Sequence, residues 1–129
     1  MASAGNDGSS SLVYPAALPN VMGVASTTNF DALSNFSNYG TDDVFVGAPG
    51  EGIVTTYPYG TYAAVWGTSF SAPFVSGTAA LLDGVSSSSN ESTSESSISN
   101  AQNLGPALNH GRLDMVQAMQ AWRTRLGLQ

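Results

Sequence analysis

The stretch of this sequence whose residue types could do chemistry is Gly67-Thr68-Ser69-Phe70-Ser71-Ala72-Pro73. Gly67 has no Cβ and permits a sharp backbone turn. Thr68 is a candidate cap for a helix that begins beside it. Phe70, Ala72, Phe74, Val75, Ala79, Ala80, Leu81 and Leu82 form an apolar and small-residue run long enough for a buried helix. Ser69 is thereby expected in the first helical turn, beside N–H groups that lack intrahelical partners and at the positive end of the helix dipole. A nucleophile that forms an oxyanion gains from that position. A serine that simply caps a helix fits the same seven residues, so the motif by itself leaves both readings open.

The elements that would position this serine come in chain order. Ala4 to Ser11 is a polar, Gly-rich loop with Asn6 between Gly5 and Asp7. Tyr14-Pro15 is a candidate cis bond. Val21 to Thr27 and Val44 to Gly50 are short apolar runs bounded by turn signals, as in strands buried on both faces of a parallel sheet. Ile53 to Tyr57 and Thr61 to Trp66 predict a β-hairpin that feeds directly into Gly67. The nucleophile helix is expected to end near Asp83-Gly84, with Pro73 in its first turns and Ala72, Ser76, Gly77, Ala79 and Ala80 against a sheet. Residues 86–99 are Ser-rich and read as a linker or surface loop. Asp114 with Gln117 forms a candidate capping box. Leu113, Val116, Met119, Trp122 and Leu126 then recur as the apolar stripe of an amphipathic helix.

Composition bounds the partners. The chain has 129 residues, enough for one domain, and 42% of them are hydrophobic, which excludes a disordered chain. Only 9% are charged, lysine is absent, and the net charge is -6, so nucleic acid is excluded as a partner. No apolar run approaches a membrane span, and no signal peptide is visible after Met1. Cysteine is absent and His110 is the single histidine, which removes thiolate and multi-histidine metal sites. No cofactor and no metal are expected.

Taken together, Ser3 to Asn6, Tyr14-Pro15, Val21 to Thr27, Phe36-Ser37-Asn38-Tyr39-Gly40, Val44 to Gly50, the hairpin, the Gly67 to Gly77 serine motif and Gly111-Arg112-Leu113-Asp114 resemble the C-terminal part of the catalytic domain of subtilisin-like serine peptidases. The resemblance is close over residues 2–84 and looser over 108–122. It implies an α/β fold with a short parallel sheet, a hairpin and two or three helices. It divides the chain into a nucleophile and oxyanion segment (1–84), a Ser-rich linker (85–100) and a C-terminal turn and helix (101–129). Ser69 is implied as the nucleophile and Asn6 as the side-chain donor of the oxyanion hole. In subtilisin itself loss of such an Asn is known to cost about 10²–10³ in turnover. Gly5 and the loop to Val13 are implied to border the substrate side chain, and Trp66 to line the cleft.

The same resemblance exposes what this sequence lacks. In the family the Asp and His of the triad precede the Asn, and here only five residues do. His110 falls in a turn that the resemblance puts away from the active site, and none of Asp7, Asp31, Asp42, Asp43 and Glu51 has the spacing of an orienting acid. Phe74 stands where the family often has His, and the Ser-rich segment stands where it usually has a helix. The expectation is a serine hydrolase weak on esters or peptides. The alternatives are a self-associating remnant without activity and a fragment completed by an upstream half. The family also implies an extracellular location.

Overall fold

The computed structural model describes residues 1–85, 91–99 and 101–127. Three strands, β1 (Ala2–Ser3), β2 (Gly23–Thr27) and β3 (Val46–Pro49), form a parallel sheet in the order β1-β2-β3. Ala2 pairs with Gly23, and Val24 with Val46. All five residues of β2 are buried, as its unbroken run of apolar and small residues predicts for a strand covered on both faces. Val24, Val46 and Ala48 face one core with Val75, Leu82, Ile98, Leu113 and Trp122. Ala25 faces a second core with Ala4, Val44 and Leu108.

A separate antiparallel pair, β4 (Ile53–Tyr57) and β5 (Thr61–Val65), is the expected hairpin, with Ile53 opposite Val65 and Tyr57 opposite Thr61. A 3-10 turn over Pro58–Gly60 joins the two strands. From Val65 the chain passes through Trp66 and Gly67 into α1 (Thr68–Val85). The face α1 turns inward differs from the small-residue face expected. Thr68, Ser71, Val75, Thr78, Ala79 and Leu82 are buried, while Ser76, Gly77 and Ala80 are exposed. These buried positions recur mostly at three and four, a stripe of mixed polar and apolar residues that shares Ala79 with the expected face. Pro73 is its sixth residue, and the N–H it lacks is the one that would bond to the Ser69 carbonyl.

The Ser-rich region departs from the linker reading. Residues 91–98 form helix α2 (Glu91–Ile98), and residues 86–90 lie outside those described. Ile98 is fully buried in the main core, and Ser94 and Ser97 are buried with it. Ser94 Oγ donates to Asp83 Oδ1, and Arg125 Nη2 donates to Ser96 Oγ. Serine has middling helix propensity, so one apolar anchor and a few hydroxyl contacts hold a helix that composition alone argues against.

The last helix, α3 (Met115–Arg125), starts at the expected cap. Asp114 Oδ1 accepts from Gln117 N at 3.0 Å, and Asp114 Oδ2 from Gln117 Nε2 at 3.1 Å. These bonds hold the Asp114 carboxyl below the usual aspartate range, led by the one from the Gln117 backbone. Leu113 and Trp122 are buried, whereas Val116 is 65% exposed and lies outside the stripe assigned to it. Just before α3, Gly111 O accepts from Gly47 N at 2.8 Å and Leu113 N donates to Gly47 O at 2.7 Å. This segment therefore covers the β3 edge of the sheet. The outer edge of β1 has no strand beside it among the described residues.

Candidate active site

The three parallel strands end at the same place. β1 runs into Ala4-Gly5-Asn6, β2 ends at Thr27, and β3 runs into Gly50. Gly50 N donates to Thr27 O at 3.2 Å, and Gly67 N donates to Gly50 O at 2.9 Å. The carboxyl ends of a parallel sheet are the usual location of α/β sites, and here they hold the turn that starts α1. A Cβ on Gly50 would collide with Ser26 Oγ and Ser71 Oγ and lie 3.0 Å from Gly67 O. Only glycine permits that approach. Gly67 itself has φ +142°, a conformation that side chains oppose.

Asn6, from the loop after β1, is joined to this turn across 62 residues. Its Oδ1 accepts from Thr68 N at 2.9 Å and from Thr68 Oγ1 at 3.0 Å. Thr68 Oγ1 accepts in turn from Gly5 N at 3.3 Å. Thr68 is thus not the helix cap that its position suggests. It is fully buried, and its hydroxyl clasps the Asn6 loop. With Oδ1 occupied twice, the Asn6 amide is oriented so that Nδ2 is its free donor. Among the described residues, Nδ2 has no acceptor. A Cβ on Gly67 would lie 3.6 Å from it, so the donor stands beside the turn that carries Ser69.

Ser69 is the second residue of α1 and is exposed. Four residues before it is Val65, at the end of β5, so the Ser69 N–H has no helical acceptor. The two sequence-predicted residues therefore lie at the same end of the sheet, Ser69 exposed in the first turn of α1 and the Asn6 amide beside Gly67.

The three substrate-binding candidates divide. Gly5 and Val13 adjoin, because a Cβ on Gly5 (φ +108°) would lie 3.1 Å from Val13 Cγ2. Val13 N donates to Asp43 Oδ1 at 3.4 Å, and burial pushes the Asp43 carboxyl above its usual range. Trp66 is 58% exposed beside Gly67. A groove of about 290 Å³ between the hairpin and α1 is lined by Ile53, Val54, Thr55, Phe70, Pro73 and Phe74, and Trp66 is not among its lining residues.

His110 is at the other end of the sheet. Its N–H and its Nδ1 both contact Phe45 O, at 3.2 and 3.0 Å, and its ring lies 4.3 Å from that of Phe45. Phe45 precedes β3, while Gly50 follows it. About 3.3 Å per strand residue separates His110 from the serine turn by about 15 Å. Two of the acids are placed away from the serine turn, whereas Asp7 and Glu51 directly follow Asn6 and Gly50 in the chain. Asp31 Oδ1 lies 2.9 Å from Arg112 Nε, and Asp43 sits at the entry to β3. What sequence reasoning missed are the contacts of Thr68 and Asn38, which reach a distant loop and leave no local pattern.

Known proteins resemble this chain in sequence and fold. The subtilase family model matches residues 1–116. Thermitase from Thermoactinomyces vulgaris is 40% identical over 122 residues, which is 93% of this chain and 43% of thermitase. A thermophilic serine proteinase from Bacillus sp. (strain AK1) is 49% identical over 82 residues, 64% of this chain and 20% of that protein. Among solved structures, the self-cleaved protease domain of PatA matches with a TM-score of 0.86 at 31% identity, covering 95% of this chain and 49% of that one. The prenylagaramide maturation protease PagA matches with a TM-score of 0.86 at 27% identity, covering 93% of this chain and 49% of that one. The chain thus spans less than half the length of each relative named here. With its sheet, hairpin, serine turn and family match in agreement, the chain belongs to the subtilase family of serine peptidases.

Proposed function

We propose that this chain is a serine hydrolase in which Ser69 performs acyl transfer with Asn6 in the oxyanion hole. The observation that carries the reading is the paired bond of Asn6 Oδ1 to Thr68, which leaves Nδ2 free beside the Ser69 turn. Ser69 Oγ attacks the substrate carbonyl carbon and gives up its proton to solvent. The carbonyl π electrons move to oxygen, where Asn6 Nδ2 and the Ser69 N–H stabilise the oxyanion. Collapse expels the leaving group and forms an acyl-enzyme, which water hydrolyses back to free Ser69. The substrates are esters or peptides, with Gly5, Val13 and Trp66 at the substrate cleft. An aryl ester departs as a stable phenolate and needs no proton. A peptide must leave as an amine, which needs a general acid. His110 is at the far end of the sheet, so activated esters are the better substrates for this chain alone. In subtilisin itself, catalysis of about 10³–10⁴ over water is known to survive loss of triad members. The site works outside the cell, without nucleic acid or membrane as partner.

The test is labelling with a fluorophosphonate and hydrolysis of a nitrophenyl ester. Wild type is expected to label at Ser69 and to exceed Ser69→Ala in rate. No label and an equal rate would remove the hydrolase reading.

The open outer edge of β1 favours a second reading of how the chain exists. It pairs with another copy or with a separately supplied half that brings the Asp and His. Unpaired parallel edges are prone to such association. Light scattering on the isolated chain is expected to give a mass above 13.2 kDa; a compact monomer contradicts this. A large gain in peptide cleavage on adding an upstream half identifies complementation.

A further inference from the structure

Asn38 is fully buried in the turn after residue 36, and it meets the oxyanion loop at three points. Its backbone N–H donates to Gly5 O at 3.0 Å. Its Oδ1 accepts from Asp7 N at 2.9 Å and from Ser9 N at 3.4 Å. The first two contacts bracket Asn6. The Gly5 carbonyl belongs to the peptide plane before Asn6, and the Asp7 N–H to the plane after it. Holding both planes fixes the two soft backbone torsions of Asn6. Thr68 fixes its side chain from the other side.

Asn38 is itself well anchored. Its carbonyl accepts from Ser37 Oγ at 3.0 Å, and Ser37 Oγ accepts from Ser26 N of β2 at 2.8 Å. Gly8 N donates to Phe36 O at 2.8 Å, and Tyr39 N to Ser9 O at 3.1 Å, which laces the two loops together on either side. Asn38 Nδ2 is buried and has no partner among the described residues. A Cβ on Gly5 would come within 2.6 Å of it. Leaving a buried donor unpaired is costly, so a buried asparagine here is a poor choice for stability alone. Its acceptor atom is what the loop uses.

We infer that Asn38 is a positioning residue for the oxyanion donor, setting the backbone of Asn6 through the peptide planes on both sides. The inference rests on the hydrolase reading of Ser69 and Asn6, and it predicts an effect that passes only through Asn6.

The experiment is a double-mutant cycle on the full chain, read by the rate of Ser69 labelling with a fluorophosphonate. Amide hydrogen exchange is measured in parallel. Asn38→Ala is expected to slow labelling by about 10²-fold, the scale of a 1 Å misplacement of a catalytic group. In an Asn6→Ala background the same change is expected to have no further effect, because nothing remains to be positioned. In wild type the Asp7 and Ser9 amides are expected to be protected together. In Asn38→Ala both lose protection while amides of β2 keep theirs. An equal slowing by Asn38→Ala with and without Asn6 overturns the inference, since Asn38 would then act through general stability. Unprotected Asp7 and Ser9 amides in wild type overturn it too, and that measurement decides the matter even if Asn38→Ala does not fold. Failure of Ser69 to label at all removes the hydrolase reading instead, and the exchange data still report whether Asn38 holds the loop.

Discussion

The hydroxyl of Thr68 can be removed with little change of shape by Thr68→Val. In the buried pocket of Thr68, two bonds are lost: the one donated to Asn6 Oδ1 at 3.0 Å and the one accepted from Gly5 N at 3.3 Å. Asn6 Oδ1 keeps the Thr68 N–H at 2.9 Å, so that acceptor is not orphaned. The donated bond is worth about 0.5–1.5 kcal/mol net. Gly5 N is left without its partner, at about 1 kcal/mol because the residue is only half-buried. The sum is about 1.5–2.5 kcal/mol. With a urea slope of about 1–3 kcal/mol/M, the midpoint is expected to fall by about 1 M. Asn6 is then held by one bond and its amide can swing. Labelling of Ser69 is expected to slow by about tenfold, the equivalent of about 1.4 kcal/mol in the barrier. Thr68→Ser keeps the hydroxyl and is expected to lose little of either quantity. The comparison of Val with Ser separates hydroxyl from methyl. If Thr68→Val shifts the midpoint but labels Ser69 as fast as wild type, the clasp supports the fold and does not aim the amide.

Three further outcomes are expected. Gly50→Ala places a Cβ against Ser26 Oγ and Ser71 Oγ, so overpacking is expected to cost about 1–3 kcal/mol in urea unfolding and to slow Ser69 labelling as the turn shifts. Ile98→Ala removes the apolar anchor of α2 from the main core. It is expected to cost about 2–5 kcal/mol and to lower the helical circular dichroism signal; an unchanged midpoint would show that α2 is not docked through this residue. Asp114→Ala removes the cap of α3, at about 0.5–2 kcal/mol near neutral pH. The Asp114 carboxyl titrates below its unfolded value, so its contribution is present above the unfolded value and is lost as pH falls through the folded one. The gap between wild type and Asp114→Ala in unfolding midpoint is therefore expected to close on acidification, and a gap that widens contradicts the cap.

Features whose physics is local could be read from the sequence. Asp114 and Gln117 are three apart and bond as a capping box. The Val24 and Val46 strands read as buried because their short apolar runs carry no charged residue. Gly67 to Pro73 starts a helix because glycine allows the turn and apolar spacing continues it. Features fixed by distant partners could not be read. α2 exists because Ile98 finds a core built by residues on either side in the chain, while the serines around it carry no apolar period. Val116 falls on the expected spacing but points away from Trp122 and its neighbours. In the site, Ser69 and Asn6 were legible as candidates. Thr68 was legible only as a helix cap, because nothing local says its hydroxyl reaches Gly5 and Asn6.

The clasp between Asn6 and Thr68 has a consequence in time. Its partners are 62 residues apart, and closing so long a span is entropically costly until the strands between them have paired. Ser69 exists as soon as the chain is made, yet it has no oriented donor until β1, β2 and α1 have come together. On the proposed mechanism, reactivity of Ser69 therefore arrives with the native topology and not before it. On that mechanism a newly made or partly unfolded chain carries a silent serine, and a fluorophosphonate added during refolding is expected to report the moment at which the two ends of this span meet.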